Sequence, residues 1–471
     1  MNIGKKIAYN SFISVFSRGL NLVASLVIIG LLTRYLGREG YGAYSTVLAF
    51  VYIFSVLADL GLYSLSVREI SRPGVDEQKI IRNAFSIRFF AGLFLFVLAA
   101  ATVWLLPYSE TVKKGVMIAS IGFWFLSNTN VLIGVFQKHL RMDKVALAEF
   151  FSRLLQLGLV WFFVSRDFGF LSFVWAMTAA SFLNLILAIL FLRKYGGLRL
   201  ELDFVFWGKF LKQSLPLAAA SVLVMVYFKL DTVMLSLMKT QDEVGLYSLA
   251  YKVLESLIFL PTMFVGLMMP FFSRFFVQSL EKFKASVFFT QKIFLIFACP
   301  LVLGGVFLSR RIILFLAGEQ FVPAAWTLSI LMMAVGVIFF GALYSSVLIA
   351  INRQKKLTLI YGLGAVVNLG LNFVFIPRYS YNGAALTTLF TELLVTLLML
   401  YFFKQALKFV PSFRSFGSVL PALLLMLAVL VFLKEAPLLW LILLAGAVYF
   451  LGLWLFRGIT KKELLFLAEA E

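Results

Sequence analysis

The run from Tyr227 to Met238 places Lys229 and Asp231 inside a stretch otherwise suited to lipid. Ionisable groups at such depth are expensive and mark function by default. The two lie two residues apart, so on a helix they point to nearly opposite sides and pair poorly on one face. Other ionisable residues share this setting. Arg18, Arg88, Arg153, Lys252 and Lys292 are bases within apolar runs, and Asp59, Glu149, Glu255 and Glu392 are acids. Glu149 and Arg153, four apart with the acid first, suit a structural same-face pair. Lys252 and Glu255, three apart, read equally as such a pair or as cavity lining, and Lys252 stays a substrate-binding candidate. Arg88 and Lys292 lie near the inner surface and are expected to snorkel. Asp59 is expected to meet a loop base such as Arg68.

Arg18 and Lys229 fit neither description. Arg18 lies about 12 Å into the first apolar run at 1.5 Å per residue. Lys229 occupies the corresponding first run of the second half. A guanidinium offers a fork of donors to phosphate and an ammonium a mobile point charge. A base on each of two equivalent helices therefore suits an anionic headgroup. The alternative is two bases satisfied by backbone carbonyls. Asp231 has different company in depth. Asn368 and Asn372 are four apart, as are Thr388 and Glu392, so each pair shares a helix face. Asp231, Asn368, Asn372 and Thr388 form a layer about 8–14 Å below the outer surface. One carboxylate with amide and hydroxyl oxygens suits a hard monovalent cation, so Asp231, Asn368, Asn372 and Thr388 are a candidate Na+ site, with Glu392 in the same ion-coupling set. The alternative is that the Asn and Thr side chains only join helices. Ser127 to Asn130 put four polar residues in one span, either wetting a lumen or bonding between helices; Asn130 is the substrate-binding candidate among them.

The elements that position these residues follow from composition. The chain has 471 residues, is 62% hydrophobic and 14% charged, and has a mean hydropathy of +0.98. No soluble domain of this length hides so much apolar surface. Long apolar runs recur throughout, giving an all-α polytopic membrane protein of about fourteen transmembrane helices. The net charge of +20 does not imply nucleic acid, because the bases concentrate in alternate short loops, such as Arg193-Lys194 and Lys355-Lys356. Positive-inside placement then sets both termini in the cytoplasm of a multi-pass plasma (inner) membrane protein. The first run is too long for a signal-peptide core and is expected to stay in the protein. The single Cys299 excludes a disulfide within the chain.

The chain also repeats itself. Gly42-Ala43-Tyr44-Ser45 matches Gly245-Leu246-Tyr247-Ser248, Val131-Leu132-Ile133-Gly134 matches Val347-Leu348-Ile349-Ala350, and Gln156-Leu157-Gly158-Leu159 matches Asn368-Leu369-Gly370-Leu371. Spans 1–6 thus correspond to spans 7–12. An even number of spans per copy makes the repeat parallel, with two six-helix lobes plus two C-terminal helices. The expected division is 1–200 for the first lobe, 201–410 for the second, and 411–471 for the last two spans and a cytoplasmic tail.

Leu36-Gly37-Arg38-Glu39-Gly40-Tyr41-Gly42-Ala43-Tyr44 with Asp59-Leu60-Gly61-Leu62, and Val244 to Lys252 with Pro270-Phe271-Phe272-Ser273, resemble the two lobes of Wzx-type polysaccharide-biosynthesis flippases. These belong to the multidrug/oligosaccharidyl-lipid/polysaccharide exporter superfamily. The resemblance implies a secondary transporter, not an enzyme. It would move a polyprenyl-pyrophosphate-linked oligosaccharide, such as an O-antigen unit, from the inner to the outer leaflet by alternating access. No cofactor is implied beyond Na+ or H+ as coupling ion, used in antiport; partners would be the lipid-linked glycan, the bilayer and other polysaccharide-assembly membrane proteins. Asp231, Asn368 and Thr388 also resemble the sodium site of lipid-II-flippase relatives, where the second span-11 position is an acid; here it is Asn372, one charge fewer.

Other classes fit less well. A lipid II flippase has the same pyrophosphate handle, but its first lobe is typically richer in span arginines. A multidrug exporter of this fold favours an acid on span 1, which here carries Arg18. A membrane glycosyltransferase would need catalytic groups on a sizeable outer loop, and His139, the single histidine, falls in an inside loop. No Gly-x-x-x-x-Gly-Lys loop provides for ATP.

Overall fold

The computed structural model describes residues 3–195, 197–410 and 415–456, with side chains except at 3–12, 14–16, 18, 215–221, 224–227 and 415. Every regular element among them is helical. Two compact units divide the chain, Met1–Gly245 and Leu246–Glu471.

The first unit holds α1 (Ile3–Asp59), α2 (Leu62–Ile70), α3 (Glu77–Thr102), α4 (Glu110–Lys138), α5 (Met142–Ser165), α6 (Phe170–Leu192), α7 (Phe204–Met238) and the first turn of α8 (Gln241–Gln278). α4 is central, packing on α1, α3 and α6, while α5 packs on α1 and α6. Because α7 packs on α1, α2 and α3, it falls within this compact unit. The second unit holds the rest of α8, then α9 (Leu280–Phe307), α10 (Ser309–Ala317), α11 (Ala324–Ala350), α12 (Gln354–Leu407), α13 (Ser415–Phe432) and α14 (Leu438–Leu455). α11 lies between α9 and α12, and α13 and α14 pair with each other and pack on α9.

Ten helices among the described residues are long and apolar enough to cross a membrane. Two of them are double. α12 runs for 54 residues, about 80 Å at 1.5 Å per residue, against a hydrocarbon core of about 30 Å. It breaks at Ser380 (φ 52°, ψ −133°). α1 breaks at Gly37 (φ 66°, ψ −170°), a conformation that favours glycine. Side chains such as Trp161, Phe373, Val366 and Leu443 point away from the protein interior, as lipid-facing positions do. The protein is multi-pass.

Helix starts are written locally. Asp76, Ser109, Asp203 and Ser279 each accept a hydrogen bond from a backbone N–H three residues on, satisfying donors that the first turn leaves open. Helix ends carry the repeat. α4 stops at Leu140 (φ 52°) and α11 at Asn352 (φ 58°). In each case the next N–H returns to the carbonyl five residues back, Arg141 to Phe136 and Arg353 to Leu348, both at 2.8 Å. These are the same left-handed stop. Asp167 (φ 54°) and Ser380 recur with nearly the same spacing.

The repeat-matched glycines also meet. A β-carbon on Gly42 would collide with the Gln241 carbonyl, and one on Gly245 with the Arg38 carbonyl. Backbones approach that closely only where both residues are small. Thr46 donates to Gln241 at 2.7 Å and Arg38 meets Asp242 at 3.4 Å, so side chains flank the crossing of α1 and the start of α8.

Candidate functional site

The first unit contains a half-open cavity of about 500 Å³. Its polar lining comes from Ser17 and Asp59 at two depths of α1, Tyr63 on α2, Asn130 and Gln137 on α4, and Glu149 on α5. Met142, Val145 and Ala146 give one apolar wall along the first turns of α5. The cavity exists because α1 ends at Asp59: Leu60 and Gly61 both take positive φ, and α2 leaves in a new direction. That turn brings the Tyr63 hydroxyl to Gln137, donating at 2.9 Å across two helices.

Two carboxylates face the cavity in different ways. Asp59 pairs with Arg88, which also donates through Nε to Ser127 at 2.6 Å. Arg88 is 2% exposed and the Asp59 side chain 25%, so the base stands behind the wall and the acid in it. Two expectations are corrected here. Arg88 does not snorkel, because its partner lies on α1 at the same depth. Asp59 does not turn to Arg68, which instead meets Glu69 at 2.9 Å beyond the bend. Glu149 accepts from the Asn21 amide at 3.0 Å, while Arg153, one turn on, donates to Gln156 at 2.8 Å. Among the described residues no lysine or arginine lines this cavity. The Ser17 hydroxyl is buried and has no hydrogen-bond partner among them.

The remaining candidates are placed as follows. Arg18 lies on the α1 backbone, and its side chain is outside the described residues. Lys229 sits half-buried on α7 with Nζ 5.7 Å from the centre of the Tyr52 ring on α1, a distance at which a cation feels the ring face. Asp231 is buried, 1% exposed, two residues further along α7. Lys252 pairs with Glu255 on α8 at 3.0 Å. In the second unit Asn372 donates to Asn368 at 3.1 Å, and both are buried. The hydroxyls of Thr388 and Tyr247 lie 3.3 Å apart. Glu392, one turn past Thr388, is also buried. Asn368, Asn372, Thr388 and Glu392 thus belong to the second compact unit and Asp231 to the first. Among the described residues no three His, Cys, Asp or Glu side chains cluster to hold a metal; oxygen donors from Asn and Thr are a separate chemistry.

Sequence reasoning missed the cavity itself. Its residues come from α1, α2, α4 and α5, and only Asn130 was singled out as a substrate contact. The signal available was Asp59 just before Leu-Gly, where a charge and a helix stop coincide.

Comparison with known proteins fits this architecture. The inward closed conformation of the lipid II flippase MurJ superposes with a TM-score of 0.79 at 18% identity, covering 97% of this chain and 100% of that one. An inward-facing multidrug resistance MATE family transporter of the MOP superfamily gives 0.68 at 12% identity over 84% of this chain and 98% of that chain. A MOP superfamily transporter from Pyrococcus furiosus, described as having a binding pocket of reverse polarity, gives 0.62 at 14% identity, covering 86% and 95%. At these identities the likeness is one of fold. An uncharacterized membrane protein of Methanocaldococcus jannaschii is 28% identical over 128 residues, 26% of this chain and 25% of the relative's length. The sequence profile of the polysaccharide biosynthesis protein family matches residues 5–276, more than half of the chain, and the chain belongs to that family.

Proposed function

We propose that this protein is a secondary flippase. It moves a polyprenyl-pyrophosphate-linked oligosaccharide from the inner to the outer leaflet by alternating access, driven by Na+ or H+ rather than by a chemical step of its own. The observation that carries this reading is a polar cavity of about 500 Å³ set within apolar helices, in a chain matched by the polysaccharide biosynthesis family over residues 5–276. A lipid-facing bundle has no packing need for such a space; a polar cargo does.

In this reading residues 1–200 and 201–410 are the two copies that alternate, with 411–471 an appended helix pair and tail, and both termini are cytoplasmic. Arg18 and Lys229 hold the pyrophosphate, with Lys252 and Asn130 as further cargo contacts. Asp231, Asn368, Asn372, Thr388 and Glu392 serve the coupling ion. Ionisable and amide groups kept buried in a membrane bundle support a functional role for this set. Glycan-assembly membrane proteins that make and extend the cargo are its expected neighbours.

Depletion of the protein in its host tests the class. Lipid-linked glycan should accumulate on the inner leaflet, and its chemical identification names the cargo. Alanine at both Arg18 and Lys229 should abolish flipping while the protein stays in the membrane; unchanged transport removes those two from the site. The likeness to MurJ supports a second reading, in which lipid II is the cargo. Accumulation of lipid II instead of a polysaccharide precursor would establish it.

A further inference from the structure

We propose that α13 and α14 act as a splint for α9, in which the Tyr449 hydroxyl supplies the hydrogen bond that Pro300 withholds from that helix. The role in transport rests on the flippase reading, while the splint itself depends only on contacts within the second unit.

α9 runs as one helix through Pro300. A proline inside a helix has no N–H for the carbonyl four residues back, here that of Ile296. Ile296 is 1% exposed and sits in an apolar cluster with Leu308, Val419, Ala422 and Leu441. No bulk water is available inside a bilayer, and an unmet carbonyl there is costly. The Tyr449 hydroxyl on α14, 153 residues further along the chain, donates to this carbonyl at 2.8 Å. Tyr449 is itself 1% exposed, so the same bond satisfies a buried hydroxyl. One acceptor left open in α9 thus meets one donor that has to find a partner on α14.

Two further contacts carry the hold past the proline. A β-carbon at Gly304 would stand 3.1 Å from the Met426 methyl, so α13 lies against the glycine one turn beyond Pro300. Arg311 on α10 donates to the carbonyls of Lys434 and Ala436 at 2.6 and 2.5 Å, in the turn that joins α13 to α14. The helix pair therefore grips the chain on both sides of the proline, at Ile296 before it and at Gly304 and Arg311 after it. A proline is where a helix bends most readily. Splinted across that point, the two halves of α9 move as one rod, as a helix does when a lobe rocks as a rigid body.

The test is a double-mutant cycle on the full chain, read by reversible unfolding in mixed micelles. Tyr449→Phe removes only the hydroxyl and leaves the Ile296 carbonyl unmet, so the folded-to-unfolded ratio should fall about tenfold. Pro300→Ala restores an N–H at position 300. In that background Tyr449→Phe should cost about twofold or less, because no buried acceptor is left open. Flipping of a chitobiosyl polyprenyl pyrophosphate in proteoliposomes should fall several-fold in Tyr449→Phe. In the double variant it should recover to the rate of Pro300→Ala alone. An equal penalty for Tyr449→Phe in both backgrounds overturns the splint, since it marks a loss of packing unrelated to the proline, and so does the lack of a penalty in either. A stability penalty with unchanged flipping in Tyr449→Phe overturns the role in transport. A wild-type chain that flips no such lipid removes the flippase reading, while the cycle of stabilities still decides the splint.

Discussion

The ion pair of Asp59 and Arg88 allows a prediction whose sign depends on which partner is removed. Arg88 is 2% exposed and the Asp59 side chain 25%. Asp59→Asn keeps the shape but leaves a buried guanidinium without its counter-charge. Breaking a buried pair in this way is destabilising by about 3–5 kcal/mol. At about 1.4 kcal/mol per tenfold, that is roughly two to four orders of magnitude in the folded-to-unfolded ratio. Arg88→Met leaves the carboxylate instead, and Asp59 borders a cavity that can admit water. The penalty then falls to about 1–3 kcal/mol, close to the loss of hydrogen bonds at Asp59 and Ser127. The double variant removes both charges and should be more stable than Asp59→Asn alone. Reversible unfolding in mixed detergent micelles, followed by tryptophan fluorescence, measures all three. The reasoning is refuted if Arg88→Met is the more damaging single change, or if the double variant shows the sum of the two single effects.

Three further outcomes follow from other features. Gly245→Val places side-chain atoms against the Arg38 carbonyl, so the variant should lose most of its folded yield by size-exclusion chromatography, whereas Gly266→Val, with open space around it, should not. The Lys79 ammonium, 2.8 Å away, holds the Asp203 carboxylate below the usual range. A depressed carboxylate contributes stability above its unfolded pKa, near 3.9, and loses it as pH falls through the lower folded value. Asp203→Asn should therefore melt below wild type at pH 7, and the gap should close below about pH 4. Asp231→Asn should abolish any Na+ or pH dependence of flipping in proteoliposomes; a variant with intact dependence excludes Asp231 from coupling.

The helical class and the repeat were legible because each rests on a local signal. An apolar run long enough to span lipid has few alternatives, and short matched words such as Gly42-Ala43-Tyr44-Ser45 survive divergence. Charged pairs were legible only within one helix. Lys252 and Glu255 are three residues apart and do meet. Arg88 and Asp59 lie on different helices, and whether they face each other depends on the rotation of α3 against α1, which hydropathy does not report. The cavity was hidden for a similar reason. It forms where α1 stops and α2 turns away, and the positive φ of Leu60 has no signature in the residue type. The neighbouring Gly61 offered a hint, since glycine accepts that conformation readily.

The left-handed stops at Leu140 and Asn352 bear on how such a chain ages. Their residues differ, yet each ends its helix with the same returning hydrogen bond at 2.8 Å. A positive φ is uncommon outside glycine, so its recurrence at matched places in both copies is a heritable mark that does not depend on side-chain identity. Duplicated transporters whose letters have drifted apart could be aligned to themselves by the handedness of their backbone, with each reversal serving as a ruler tick where the sequence no longer does.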